Sequence, residues 1–308
     1  MIDVSSFGDM LCESSLEKGS FKAGLFKVHS RFEHVTNFML EGDSGSTDST
    51  SLISLVDEVI GPGPFNIVVN HDNEEFFNSL FIDTKGFNLG FNTGNLRYNF
   101  EPVNCYDSSI KIDTLSDETM TRFYLNMSYL ESSLIEYAHP KSLVFLLDEE
   151  REKNFSGAFE KEFIARIKAS VNLLFGIEPL LGIKGLKGIG FGLTPSGDDF
   201  IAGFFVAKYL DASIHKQDML DVSAKINSLC QEALGENLLS NSFLKSTGQG
   251  HINGKFKKLI HSLISGDRQD IEENAGEFMN HGATSGADLA TGLTLSLKEL
   301  FCEKKRTH

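Results

Sequence analysis

Apolar residues are distributed differently in the two halves of the chain. Before about residue 150 they come in short runs, at 21–29, 32–40, 51–55, 65–70 and 80–82, split by turn-rich pieces such as Gly42-Asp43-Ser44-Gly45-Ser46 and Gly61-Pro62-Gly63-Pro64. Runs of this length, punctuated this way, predict consecutive antiparallel strands. The exceptions are a helix over 117–137 and one further strand over 142–147. Beyond the charged stretch 148–153 the apolar positions recur every three or four residues, as in Phe163, Ile167, Val171 and Leu174. That is the period of a helix with one buried face. Helices are expected over 155–175, 197–210, 218–234, 243–247, 255–265, 267–279 and 286–301. The predicted fold class is α+β: a β-rich N-terminal domain, residues 1–150, followed by a helical domain, residues 151–308.

One pattern occurs twice in the helical half. Ser196-Gly197-Asp198-Asp199-Phe200-Ile201-Ala202-Gly203-Phe204 and Ser285-Gly286-Ala287-Asp288-Leu289-Ala290-Thr291-Gly292-Leu293 share Ser-Gly-x-Asp-apolar-x-x-Gly-apolar, eighty-nine residues apart. A Ser followed three positions later by Asp and then by an apolar run is the capping-box pattern. Each copy is therefore expected to open a helix, with the Ser oxygen and the carboxylate satisfying first-turn amides. One turn past each Asp stands a Gly, which costs a helix about 1 kcal/mol relative to Ala and so asks for a packing or ligand reason. Two well-capped core helices would explain either copy alone; the duplication points to a paired site.

Ahead of the first copy, Gly182, Gly185, Gly188, Gly190 and Gly192 place five glycines in eleven residues. A flexible backbone with exposed amides, feeding a helix start that carries partial positive charge, favours an anion. The run is not a dinucleotide fingerprint, because Leu193 stands where a third Gly is needed, and it lacks the Gly-Lys-Ser/Thr ending of a P-loop. Lys184 and Lys187 would either bring charge to that anion or simply face solvent.

Adjacent Asp198 and Asp199 point about 100° apart on a helix and so can serve different tasks. Asp199 matches Asp288 in the repeat, which makes both the better capping candidates, whereas Asp198 aligns with Ala287 and is the extra carboxylate, either bound to a ligand or metal or a solvated first-turn aspartate. Asn66, between a Gly-Pro turn and an apolar run, either ties the turn or reaches a ligand. Asn241 and Ser242 either cap a helix or contact substrate, and His251 and His281 are loop histidines, inert or acid–base. Neither Ser196 nor Ser285 sits in a nucleophile elbow, so covalent serine catalysis is disfavoured. No cofactor is called for. Mg2+ held by Asp198, Asp199 and Asp288 is admissible because hard cations favour oxygen ligands, but it ranks below a direct carboxylate contact.

Composition narrows the partners. With 43 acidic against 28 basic residues the chain has a net charge of −15 and no basic stripe, which disfavours nucleic acid and anionic membranes. The apolar run 200–210 is broken by Gly203 and Lys208 and is too short to span a bilayer. The start, with Asp3, Asp9 and Glu13, does not read as a signal peptide, and Cys12, Cys105, Cys230 and Cys302 form neither a zinc nor a disulfide pattern. A cytoplasmic protein with reduced thiols is expected.

The run Gly190-Phe191-Gly192-Leu193-Thr194-Pro195-Ser196-Gly197-Asp198-Asp199, followed by Ala202-Gly203, resembles the signature of the AllH family, associated with oxamate carbamoyltransferase. Thr284-Ser285-Gly286-Ala287-Asp288 with Gly292 resembles its second signature, and Ser240-Asn241-Ser242-Phe243-Leu244 with Gly250-His251 its middle segment. The segments 28–33 and 61–69 are similar to its opening strands, so the likeness runs from about residue 20 to 300. Phe191, where relatives carry Pro, and the position of His281 depart from it. The resemblance implies a subunit of a carbamoyltransferase interconverting carbamoyl phosphate plus oxamate and oxalurate plus phosphate, in purine or allantoin breakdown, with other subunits as partners. It implies catalytic roles for Asp198, Asp199 and Asp288. Substrate contacts would come from Asn66, Gly190, Gly192, Thr194, Ser196, Gly197, Asn241, Thr284, Ser285 and Gly286. Helix-start amides would hold the substrate's anionic oxygens while a carboxylate accepts from its amide. The alternative is a non-catalytic assembly or anion-sensing subunit.

Overall fold

A computed structural model of the chain describes residues 3–12, 24–41, 52–70, 79–82, 88–92, 95–99, 104–190, 192–280 and 282–306. It is α+β, with strands in the first part and helices after them. Two compact units result, one made of Met1–Ser109 with His251–Gly254 and the other of Ile110–Gly250 with Lys255–His308.

Among the described residues the first unit holds one sheet of nine strands: β1 (Asp3–Gly8), β2 (Gly24–Phe32), β3 (Val35–Leu40), β4 (Leu52–Val56), β5 (Asn66–Asn70), β6 (Ser79–Ile82), β7 (Asn88–Asn92), β8 (Asn95–Asn99) and β9 (Cys105–Tyr106). Their order across the sheet is β8-β7-β6-β2-β3-β4-β5-β1-β9. Central β4 reads Leu-Ile-Ser-Leu-Val and is buried at every position. Its one polar residue is satisfied, because the Ser54 hydroxyl donates to Asn37 Oδ1 at 2.7 Å and the Asn37 amide donates in turn to Ser30 Oγ at 3.0 Å.

The sheet is mixed, which corrects the expectation of antiparallel strands throughout: β4 and β5 run parallel, Leu55 facing Ile67, and so do β1 and β9. The turn chemistry between β4 and β5 explains it. Asp57 Oδ1 accepts from the Val59 and Ile60 amides, and the Gly61 amide donates to the Asp57 carbonyl. Gly61 then takes a left-handed φ of 76°. The loop thus returns the chain to the starting end of β4 instead of making a hairpin. Asn66 closes it, donating from Nδ2 to the Gly61 carbonyl at 2.8 Å.

The second unit comprises α1 (Asp117–Tyr137), α2 (Ala158–Phe175), α3 (Pro179–Leu186), α4 (Ser196–Ile214), α5 (Met219–Ala233), α6 (Leu238–Gly248), α7 (Gly254–Ser265), α8 (Arg268–Met279) and α9 (Ser285–Arg306), α7 beginning on the last residue of the first unit. Phe163, Ile167, Val171 and Leu174 form the buried stripe of α2 that their spacing predicts. Two expectations fail. The apolar run at 142–147 is not a strand but a 3-10 turn, Leu143–Leu146, with Leu143, Val144 and Phe145 buried; a short apolar run suits either, and its neighbours here are helices. Half of the glycine-rich run is not a loop either, because Pro179 opens α3, which carries Gly182 against the backbone of Leu174 and Gly185 against Ser170. No helix among the described residues is long and apolar enough to cross a membrane.

Helix α4 is the spine of this unit: all its residues except Lys208 and Ser213 are buried, as expected of a helix apolar all round. It crosses α9 so closely that side chains are excluded at the crossing. A Cβ on Gly203 would lie 2.1 Å from the Leu289 carbonyl oxygen, and one on Gly292 would lie 2.3 Å from that of Phe200. These contacts are reciprocal, because the eighty-nine-residue spacing relates Gly203 to Gly292 and Phe200 to Leu289. The second glycines of the two motifs are thus packing residues. Gly203→Ala and Gly292→Ala force backbone apart and are each expected to destabilise the protein by about 1–3 kcal/mol or more. Gly276→Ala, in α8 with nothing within 4 Å, is expected to stabilise it by about 0.5–1 kcal/mol. Urea unfolding of the three variants measures both signs.

Candidate functional site

The first serines and the aspartates of the motifs meet at the N-terminal ends of the two crossing helices. The capping-box expectation is overturned in an informative way. Helix α4 has Pro195 at its N-cap with no side-chain cap, and Ser196 is already inside the first turn. From there its hydroxyl donates to Asp288, while Ser285, the first residue of α9, donates to Asp199. Each serine therefore serves the carboxylate of the other motif rather than its own helix. Thr194 and Thr284 complete the ring, donating to Asp199 and Asp288 respectively, and the Thr194 and Ser285 hydroxyl oxygens lie 2.8 Å apart. Asp288 also accepts from the Leu143 amide at 2.6 Å, which ties the 3-10 turn to the crossing.

Electrostatically the pair is unusual. Asp199 is 7% exposed and Asp288 0%, and one oxygen of each, Oδ2, is buried without a hydrogen-bond partner. Burial pushes the Asp288 carboxyl up to about 7, against the pull of its Leu143, Ser196 and Thr284 donors. Burial also pushes Asp199 well above the usual carboxylate range, with the neighbouring charge on Asp288 as the next cause. Among the described residues no group of three or more His, Cys, Asp or Glu is gathered to hold a metal ion.

Asp198, the extra carboxylate, has its own partners. Oδ1 accepts from the Gly188 amide at 2.7 Å and Oδ2 from the Ser240 hydroxyl at 2.5 Å. Its pKa is raised by burial, opposed by these two donors and by Lys187. It therefore pins the glycine loop to α6. Gly188, Gly190 and Gly192 have φ of 68°, 132° and 93°, a path suited to glycine, and Gly190 folds back until a Cβ would sit 2.4 Å from the Ser196 nitrogen. The same fold-back occupies the Gly197 amide, which donates to Ile189 at 2.8 Å, while the Asp198 amide donates to the N-cap Pro195 carbonyl at 2.9 Å within the helix's first turn. Gly197 and Gly286 are also close-contact residues, packed on the Leu186 and Phe278 carbonyls. Lys184 pairs with Glu232 at 3.2 Å, and Lys187 donates to the Glu232 carbonyl at 3.1 Å.

The structure thus brings together Thr194, Ser196, Asp199, Thr284, Ser285 and Asp288, with Gly190, Gly192, Gly197 and Gly286 shaping the backbone beside them. It places others elsewhere. Asn241 is half-buried and exchanges two hydrogen bonds with the Gly235 backbone, and Ser242 donates to the Leu238 carbonyl. Asn66 belongs to the other unit, where it ties its turn. His251 belongs there too, its Nδ1 2.8 Å from Ser108 Oγ. Phe191 and His281 lie outside the described residues.

Three contributors escaped the sequence reading. Asn237 caps α6 and holds the loop by donating to the Leu193 carbonyl at 2.6 Å; its spacing to Ser240 is an N-cap signal. Ser240, beside the two residues singled out, binds Asp198. Leu143 acts through its amide, which no side-chain pattern announces. Asp198, a candidate ligand contact from the sequence, also holds the fold together. Asp198→Ala leaves the Gly188 amide and Ser240 hydroxyl without an acceptor and is expected to cost about 1–3 kcal/mol. Asn241→Ala, whose two hydrogen bonds to Gly235 are open to solvent, should cost less; denaturant midpoints compare them.

The comparisons with known proteins bear on this region. No curated protein and no solved structure matches the chain. Residues 186–297 match the model of a protein family, and that stretch begins at the end of α3, takes in the glycine loop, both motifs and everything between, and ends within α9. The part of the chain that builds the paired aspartate site is therefore similar to the family described as oxamate carbamoyltransferase subunit AllH.

Proposed function

We propose that this chain is a subunit of a carbamoyltransferase and that the hydroxyl-rimmed aspartate pair is where its small-molecule substrate is held. The observation that carries the reading is a coincidence of two kinds of likeness. The residues matched to the family, 186–297, are those that fold into the reciprocal Ser–Asp arrangement.

The chemistry suits a carbamoyl group. In the forward reaction the amide nitrogen of oxamate attacks the carbonyl carbon of carbamoyl phosphate, the bond from that carbon to the phosphate oxygen breaks, and the nitrogen gives up a proton. Oxalurate and phosphate result, and in purine or allantoin breakdown the reaction runs in reverse. A protein promotes such a transfer mainly by orienting its reactants and stabilising the developing charge. Thr194, Thr284 and Ser285 are only half-buried, whereas the aspartates they serve are buried. Hydroxyls can donate to carbonyl or phosphate oxygens, and carboxylate oxygens lacking donors suit the N–H groups of an amide.

One observation favours a second reading, an assembly subunit without turnover. The partnerless oxygens of Asp199 and Asp288 are sealed from solvent, and the Gly197 and Asp198 amides are already used.

Thermal unfolding in the presence of carbamoyl phosphate, oxamate, oxalurate and phosphate separates the two, because a ligand that binds the native state raises the midpoint. A rise with carbamoyl phosphate or oxalurate is expected, abolished by Ser285→Ala. The assembled complex carrying that variant should lose about 10²–10³ in turnover, as when a donor to a developing oxyanion is removed. No ligand-induced rise, together with full activity of the variant complex, would establish the assembly reading.

A further inference from the structure

Two buried carboxylates facing a common region require a positive charge, and the described structure offers none from a side chain. Asp199 and Asp288 occupy the same position of the repeat on two different helices, and each accepts from the serine of the other. Neither has an ion-pair partner among the described residues. The groups around them are the hydroxyls of Thr194, Ser196, Thr284 and Ser285 and the Leu143 amide, all uncharged. From α4 the nearest further charge is Asp198, itself negative; Lys187, at the end of α3, acts on Asp198 rather than on the pair. The 3-10 turn contributes only its amide.

Ionising both groups there would put two like charges side by side out of water, a state proteins avoid by keeping a proton. The two oxygens without partners, Asp199 Oδ2 and Asp288 Oδ2, are the atoms left to carry it. We propose that Asp199 and Asp288 hold one proton between them, and that this proton fastens α4 to α9, so that the junction of the two repeats loosens when the proton is lost. The pair titrates as a unit, and the proton belongs to both carboxyls rather than to one. The inference concerns the packing of the crossing and stands whether or not the site turns over a substrate.

The sign of the pH dependence follows. The folded chain keeps the Asp288 proton up to about pH 7, while the ordinary carboxyl value is 3.8. Between those values the folded state binds more protons than the unfolded one, so stability falls as pH rises through that window, and because Asp199 is also pushed well above the carboxylate range the fall continues beyond it. Asp288→Asn mimics the protonated form: its carbonyl oxygen can still accept from the Leu143 amide, and its amide can donate to Asp199.

Melting the wild type and Asp288→Asn from about pH 5 to about pH 8.5 tests this. The wild-type midpoint should drop more steeply across the neutral range than that of the variant, and the variant should equal or exceed the wild type at the alkaline end. Asp199→Asn should behave likewise. The infrared carbonyl band of a protonated carboxyl, present in the wild type at about pH 6 and weakened by about pH 8.5, reads the proton without any variant. Parallel pH profiles with no such band would overturn the inference. So would an alkaline-side rise of the wild-type midpoint with Mg2+ that both variants lose, because a cation rather than a proton would then neutralise the pair.

Discussion

The approach of α4 to α9 at Gly203 and Gly292 is the constraint on which the rest of the helical unit depends. Each glycine faces a backbone carbonyl of the other helix at a distance that leaves no room for a Cβ. With the backbones this close, the N-terminal ends of both helices are held together, and the residues one turn earlier, Asp199 and Asp288, are carried into the same buried region. The hydroxyls of Ser196 and Ser285 then have an acceptor across the crossing. Helix packing thus selects the polar partners, and the polar partners register the two helices.

That arrangement has an electrostatic consequence for function. A carboxylate at a helix start in water would be ionised and unremarkable. Buried at the crossing, Asp288 becomes a group that releases its proton near neutrality, the property that functional carboxyls acquire by the same means. The asymmetries between the repeats lie around this core. Only the first motif has the extra Asp198, which clamps the glycine loop at Gly188, and only the second draws in the Leu143 amide. Similar halves with different surroundings give a pair whose members can differ in role.

Much of this was legible in the sequence because it rests on local pattern. The α2 stripe, the strands at 35–40 and 66–70 and the start of α8 follow from spacing and turn residues close in the chain. The repeat itself, and the suspicion that its glycines serve packing, also came from the sequence. The destination of each side chain did not. Ser-x-x-Asp reads as a capping box because sequence shows only the acceptor three residues away; the one actually used lies ninety-two residues off from Ser196, at Asp288. Asp198 looked free for the same reason, since Ser240 is forty-two residues distant. The parallel pairing of β4 with β5 depends on an Asx turn at Asp57 whose geometry residue types alone do not fix.

A double-mutant cycle on Ser196 tests the reciprocal arrangement most directly. If Ser196 serves the other repeat, Ser196→Ala and Asp288→Asn should couple by about 0.5–3 kcal/mol in unfolding free energy. Ser196→Ala and Asp199→Asn, within one motif, should add to within about 0.5 kcal/mol. Coupling to Asp199 with additivity towards Asp288 would instead restore two independent capping boxes and contradict the crossed pair.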